Sequence, residues 1–120
     1  MTECLIVGAG GAIGAMLRYL IGLIPLNPEN GFPIKTFLIN VAGCFIIGLV
    51  AAMAARSSLS PRITLFLKVG ICGGFTTFSS FALETDQLLA KGATATAAAY
   101  VLLSIICGVL VAFAAQKLAA

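Results

Sequence analysis

Four apolar stretches, each long enough to cross a bilayer, are joined by three short polar links, and no other feature constrains the fold so tightly. The stretches cover residues 4–24, 36–55, 62–90 and 93–116. A hydrocarbon layer about 30 Å thick takes about 20 apolar residues in a helix. The chain has 120 residues, 61% of them hydrophobic and 9% charged. A water-soluble domain carries charge on about a quarter of its residues, so this chain has too little polar surface to cover a soluble globule. The expected fold is an all-α integral membrane protein, a single domain over 1–120 with four transmembrane helices, placed in the cell membrane with lipid as its solvent.

The links carry turn and cap chemistry. Residues 25–35 include Pro25, Pro28, Pro33 and the pair Asn30-Gly31, which break helices and favour turns. Residues 56–62 are short and polar, and Ser60-Pro61 reads as an N-cap followed by the first helical position. Gly92 marks the end of the third helix. Because the spans alternate in direction, Arg56, Arg62 and Lys117 fall on one side and Lys35 and Lys91 on the other. Arg18 and Lys68 lie within spans. Three cations against two is a weak bias that sets no orientation, and it suits a chain that inserts both ways up as well as one that is poorly biased by chance.

Several function classes drop out. A net charge of +3, scattered along the chain, offers no nucleic-acid surface. There is no His, so the usual proton shuttle and commonest metal ligand are missing. Cys4, Cys44, Cys72 and Cys107 form no C-x-x-C pair and read as small apolar residues. No nucleophile–base pair, metal cluster or phosphate loop is present, so an enzyme is not expected. Met1-Thr2-Glu3 lacks a basic stretch, so no cleaved signal peptide is expected. The run Gly8 to Gly14 imitates a dinucleotide-binding turn, but Ile13 stands where the third glycine belongs, and no strand–helix alternation follows. Gly10 and Gly14 instead form a G-x-x-x-G face for close helix packing, and Gly70 and Gly74 form another.

The third stretch is the unusual one. Gly73-Gly74 is followed by Thr76-Thr77 and Ser79-Ser80, with Phe75, Phe78 and Phe81 interleaved. Adjacent glycines and clustered hydroxyls weaken a helix, so a break is expected near 73–77. Irregular backbone at membrane depth is tolerated only inside protein or beside a cavity. Phe78 and Phe81, three residues apart, share a helix face. Phenylalanines in a membrane helix ordinarily pack, but beside such a break their positive ring edges can also favour a small anion. The break frees peptide oxygens, and those of Gly73 and Thr76 suit a hard cation, though one chain supplies too few of them. Two chains at a symmetry axis double the number.

Polar residues elsewhere admit two readings each. Arg18, without a carboxylate beside it in its span, is either a snorkelling anchor or a fixed charge at the mouth of an anion path. Asn40, with Thr36 one turn earlier, is either an interhelical hydrogen-bond partner or an amide donor to an anion. Thr96, Tyr100, Ser104 and Gly108 recur every four residues in the fourth stretch, giving either interhelical bonds or a track of hydroxyl donors. Glu84 and Asp86 fall near the interface and receive no role.

Taken together, Gly10 to Tyr19, Thr36 to Gly43, Gly73 to Phe81, and Tyr100 with Ser104 resemble the Fluc, or CrcB, family of fluoride channels. The resemblance runs in order over nearly the whole chain, and the Gly73–Phe81 motif is its most specific part. It implies a fluoride-selective passive channel that exports fluoride from the cytoplasm and protects against its toxicity. It implies an antiparallel, dual-topology homodimer with two pores, each drawing on both chains. Phe78 and Phe81 then correspond to the paired rings lining the fluoride path, Asn40 to their polar partner, Tyr100 and Ser104 to the polar track, and Arg18 to the arginine near the entrance. Gly73 and Thr76 correspond to the backbone-carbonyl ligands of a structural sodium ion, Na+, at the dimer axis. The track in relatives can extend one turn further, where this chain has Gly108. A small multidrug exporter, the nearest rival, needs a carboxylate inside the first span, and here Glu3 stands only at its start. A structural subunit without transport of its own is the second rival.

Overall fold

The computed structural model describes residues 1–120, all of them in or between helices. Helix α1 spans Thr2–Gly22 and α2 spans Ile34–Ala55. The third span, Pro61–Ala90, is composite. It comprises α3 (Pro61–Leu65), a π-helical stretch (Phe66–Cys72), α4 (Gly73–Phe75) and α5 (Phe78–Ala90). Helix α6 spans Thr94–Ala119. All four spans are long and apolar enough to cross a membrane, and the protein is a multi-pass membrane protein. At about 1.5 Å per residue, the 22 residues of α2 reach about 33 Å, enough for the hydrocarbon layer.

The ends of the helices follow local chemistry. α1 stops at Gly22, two residues short of the expected end, because Ile24 precedes Pro25 and is biased away from helical geometry. Lys35 Nζ then donates to the Gly22 carbonyl at 2.9 Å and closes that end. Gly31, at φ +77°, takes the left-handed turn position after Asn30, whose Oδ1 accepts from the Phe32 amide at 3.0 Å. Ser60 caps α3, its hydroxyl accepting from Ile63 N at 3.2 Å, with Pro61 in the first turn. α6 runs three residues beyond the expected 116, to Ala119.

Two helix pairs make the body. α2 and α6 pack closely; a methyl on Gly48 would come within 2.5 Å of the Ala112 carbonyl oxygen. α1 packs on the third span through the two expected G-x-x-x-G faces. A Cβ on Gly10 would lie 2.6 Å from the Phe66 carbonyl oxygen and 2.9 Å from Gly70 Cα. A Cβ on Gly14 would overlap the Ile71 carbonyl oxygen and sit 2.8 Å from the Phe75 amide nitrogen. The backbones touch here because no side chain stands between them. On the third span this contact falls on the wide π turn, a form that recurs at functional sites.

The third span breaks where expected, but at two residues only. Thr76 (φ −80°, ψ 158°) and Thr77 (φ −150°, ψ 112°) are extended; Gly73 to Phe75 remain helical.

Candidate functional site

The break redirects a set of backbone groups. In a continuous helix the Thr77 amide would bond the Gly73 carbonyl; here it donates to Asn40 Oδ1 at 2.8 Å. The Ser80 amide, due to Thr76, donates instead to the Thr77 hydroxyl at 3.1 Å, capping α5. The carbonyls of Gly73 and Thr76 thus lose their regular helical partners. The Gly74 carbonyl takes Arg18 Nε at 3.2 Å. Asn40 completes a two-point clasp by donating Nδ2 to the Thr77 carbonyl at 3.2 Å. α1 and α2 therefore both hold the break, through one guanidinium and one amide.

A groove of about 370 Å3 lies over the break, lined by Asn40, Gly73, Thr76, Phe78, Phe81 and Ser104 among others. The Phe78 and Phe81 rings stand 5.8 Å apart, tilted at 48°. Phe78 is 79% exposed, so within this chain its ring meets little besides Phe81. Ser104 is the opposite case. Its Oγ is buried and is the one buried side-chain polar atom with no hydrogen-bond partner. A serine in a helix can bond the carbonyl four residues back; this one does not, which leaves its hydroxyl free beside the groove.

Tyr100 sits behind the groove, fully buried, its ring 5.0 Å from that of Phe81. Its hydroxyl donates to Glu84 Oε1 at 2.8 Å, and the Thr36 hydroxyl donates to Glu84 Oε2 at 2.8 Å. Glu84 thus joins α2, α5 and α6. Phe32 and Phe37 pack around the same cluster. Arg18 stands apart from the rings. It lines a second cavity of about 570 Å3, with Lys35, Thr36, Thr77, Ser80 and Glu84. Thr77 lines both spaces and stands in the wall between them. Gly108 is buried, 3.3 Å from Cys44 Sγ at its would-be Cβ, so the hydroxyl row of α6 ends in packing.

The structure therefore gathers Asn40, Phe78, Phe81 and Ser104 with Gly73 and Thr76 around one groove, puts Tyr100 behind it and sets Arg18 in the adjoining cavity. Glu84 was missed by sequence reasoning. The available signal was a carboxylate one turn beyond Phe81, three residues away and therefore on the same helix face. Thr77 was read only as part of a hydroxyl cluster.

The family described as CrcB-like protein, Camphor Resistance (CrcB), matches residues 5–116. A protein of Chlorobium phaeobacteroides (strain BS1) named "Fluoride-specific ion channel FluC" is 44% identical over 116 residues, covering 96% of this chain and 91% of that protein. Proteins of the same name from Nitrobacter winogradskyi and Rhizobium meliloti (strain 1021) are 46% and 42% identical, over 90% and 98% of this chain and 87% and 96% of theirs. With its four spans, its break at Thr76-Thr77 and relatives this similar along nearly their full length, the chain belongs to the CrcB family.

Proposed function

We propose that this chain is a passive, fluoride-selective channel that lets fluoride leave the cell. Its family membership and the name its relatives carry support the ion; the buried, unpartnered Ser104 hydroxyl beside the Phe78–Phe81 groove is the observation that carries the path. Fluoride is small and strongly hydrated, so a path must replace water without holding the ion. A hydroxyl with its proton free, the second N–H of Asn40 and two phenyl edges are modest donors in series. Each offsets part of the lost hydration, and none presents a full charge that would trap the anion. Tyr100 contributes less directly, because its one hydroxyl proton is already given to Glu84. Arg18, bonded to Gly74 O, braces the break and leaves guanidinium N–H groups toward the adjoining cavity.

Fluoride crosses membranes as the neutral weak acid and is trapped inside as the anion. An inside-negative potential then drives it out through a pore, worth about 2.3 kcal/mol per charge per 100 mV. No gate or coupled gradient is required.

The working unit in this proposal is an antiparallel, dual-topology homodimer. Its support is physical. The non-helical Thr76-Thr77 backbone and the unpartnered Ser104 hydroxyl beside the groove lie in the middle of their spans, where lipid cannot satisfy them. The cations divide nearly evenly between the two ends, as a chain inserted both ways up requires. In such a dimer, two facing breaks would offer the four carbonyls of paired Gly73 and Thr76 residues, which lose their helical partners to Asn40 and to the Thr77 cap. Those oxygens fit a sodium ion, which would supply a fixed positive charge holding the two third spans together.

Fluoride-electrode recordings on proteoliposomes of the purified chain, with chloride as control, test the proposal. Rapid fluoride efflux with little chloride efflux is expected; equal efflux of both, or none, overturns it.

A further inference from the structure

Of the two cations within the spans, Arg18 and Lys68, the fluoride path uses only Arg18. Lys68 lies in the π-helical stretch, seven residues after Pro61 and five before Gly73, and is exposed. Arg56, Arg62 and Lys91 stand at the ends of their spans, where water can solvate them, and, Lys68 aside, the other three cations have partners. Arg18 bonds the Gly74 carbonyl, Lys35 bonds the Gly22 carbonyl, and Lys117 lies 5.4 Å from the centre of the Phe113 ring. The one ion pair in the chain joins the Met1 amine to Glu3. Lys68, well inside its span, has no ion pair and no hydrogen bond. An unpartnered charge at such a position calls for a reason.

Its surroundings suggest one. Lys68 lines the groove that holds Asn40, Phe78, Phe81 and Ser104. It also lines a separate cavity of about 750 Å3 formed by the link between α2 and α3, with Ser57, Ser58, Ser60 and Thr64 in its wall. No other residue is common to those two linings. Thr77 is common to the groove and the Arg18 cavity in the same manner. The three spaces are thus neighbours in a row, with Thr77 in the wall shared by the Arg18 cavity and the groove and Lys68 in the wall shared by the groove and the outer cavity.

We infer that Lys68 is the charge that draws fluoride from the hydroxyl-lined cavity between α2 and α3 into the groove at Phe78 and Phe81. This inference rests on the fluoride-pore reading. The side chain suits the task. An ammonium on four flexible carbons is a compact, strongly hydrated charge that raises the local anion concentration at a distance. The charge acts through its field at a distance, so it concentrates fluoride without stripping its water, and an arginine at the same place would do the same. The Ser57, Ser58 and Ser60 side chains keep the outer cavity wet, and the donors of the groove take over dehydration. The bland alternative is a lysine snorkelling to the interface. The two differ in one measurable respect. An attracting charge acts through a field that salt screens, over about 30 Å at 0.01 M ionic strength and about 3 Å at 1 M.

The test is fluoride efflux from proteoliposomes at low fluoride concentration, run at both ionic strengths with wild type, Lys68→Gln and Lys68→Arg. Lys68→Gln is expected to slow efflux about ten-fold at low ionic strength, the lower end of electrostatic steering effects. The gap should shrink to under about two-fold at 1 M, and Lys68→Arg should stay near wild type at both. A wild type that conducts fluoride, with Lys68→Gln matching it throughout, overturns the Lys68 assignment and leaves the pore intact. Equal losses in Lys68→Gln and Lys68→Arg at both ionic strengths mark a packing role and also overturn it. A wild type that moves no fluoride overturns the pore reading, and this inference with it.

Discussion

The contact between α1 and the third span and the groove over the break lie on the same span, yet they are built on opposite principles. In the first, side chains are removed until backbones touch: Gly10 and Gly14 press on Phe66, Gly70, Ile71 and Phe75. In the second, polar groups are present but left incompletely used: the Ser104 hydroxyl, the Gly73 and Thr76 carbonyls, and a Phe78 ring mostly outside any contact within the chain. In lipid, apolar burial does little to hold helices together, so tight packing and polar bonds must do so. The glycine contact supplies rigidity with no polar group to spare. That rigidity lets the groove keep donors unpartnered without collapsing onto them. Substitutions that separate the two regions should therefore separate folding from flux.

The largest effect is expected from Gly14→Val. Its branched side chain has nowhere to go but into the Ile71 carbonyl and the Phe75 amide. Overpacking against backbone should cost about 3 kcal/mol or more, and the variant should elute from a sizing column in detergent as aggregate or yield no folded protein. A folded, conducting Gly14→Val would mean that the contact is loose and that the contrast drawn here is wrong.

Phe78→Ile attacks the other side. With the ring 79% exposed in the chain, its loss should leave the fold intact while removing a positive edge from the path. Fluoride efflux should fall about 100-fold, equivalent to about 2.7 kcal/mol on the barrier, with elution and thermal unfolding unchanged. Efflux within a factor of two of wild type would remove Phe78 from the path.

These two variants also mark what the sequence made legible. The four spans, the break and both glycine faces follow from composition and short-range spacing, because helix period and breaker residues act locally. The partners did not follow. Glu84 accepts from Thr36, 48 residues away, and from Tyr100, 16 residues away; such meetings are set by how three helices pack. The choice at Asn40 was open for the same reason. Its amide proves to be an interhelical partner, bonded twice to the Thr77 backbone, and it still lines the groove. Arg18 was legible as an unpaired charge, but its bond to Gly74 O depends on the break freeing that carbonyl. The π turn, which coincides with the contact of Gly10 and Gly14 on the third span, had no sequence signal.

Asn40→Ala tests whether the clasp belongs to the scaffold or to the path. Removing the amide strands the Thr77 N–H and carbonyl in a partly buried place, and each unmet group should cost about 1–3 kcal/mol. Unfolding in denaturant should shift accordingly, and flux should fall with it. Asn40→Asp retains an acceptor for the Thr77 amide but loses the donor to its carbonyl and adds negative charge, so it should depress fluoride flux more than it depresses stability. Equal losses in both measures for both variants would place Asn40 in the scaffold alone.

The smallest effect on stability, and the sharpest discrimination, belongs to Ser104→Ala. A hydroxyl buried without a partner is a liability in a structure that uses it only for packing. Deleting it should leave unfolding unchanged or raise stability by up to about 1 kcal/mol. If the hydroxyl serves the path, fluoride efflux should fall by about ten-fold in the same variant, so stability and flux move in opposite directions. Ser104→Thr, which keeps the hydroxyl and adds a methyl, should recover part of the flux. A variant that gains stability and conducts as well as wild type would show that the spare donor is idle, and the groove would then need another group to replace the ion's water.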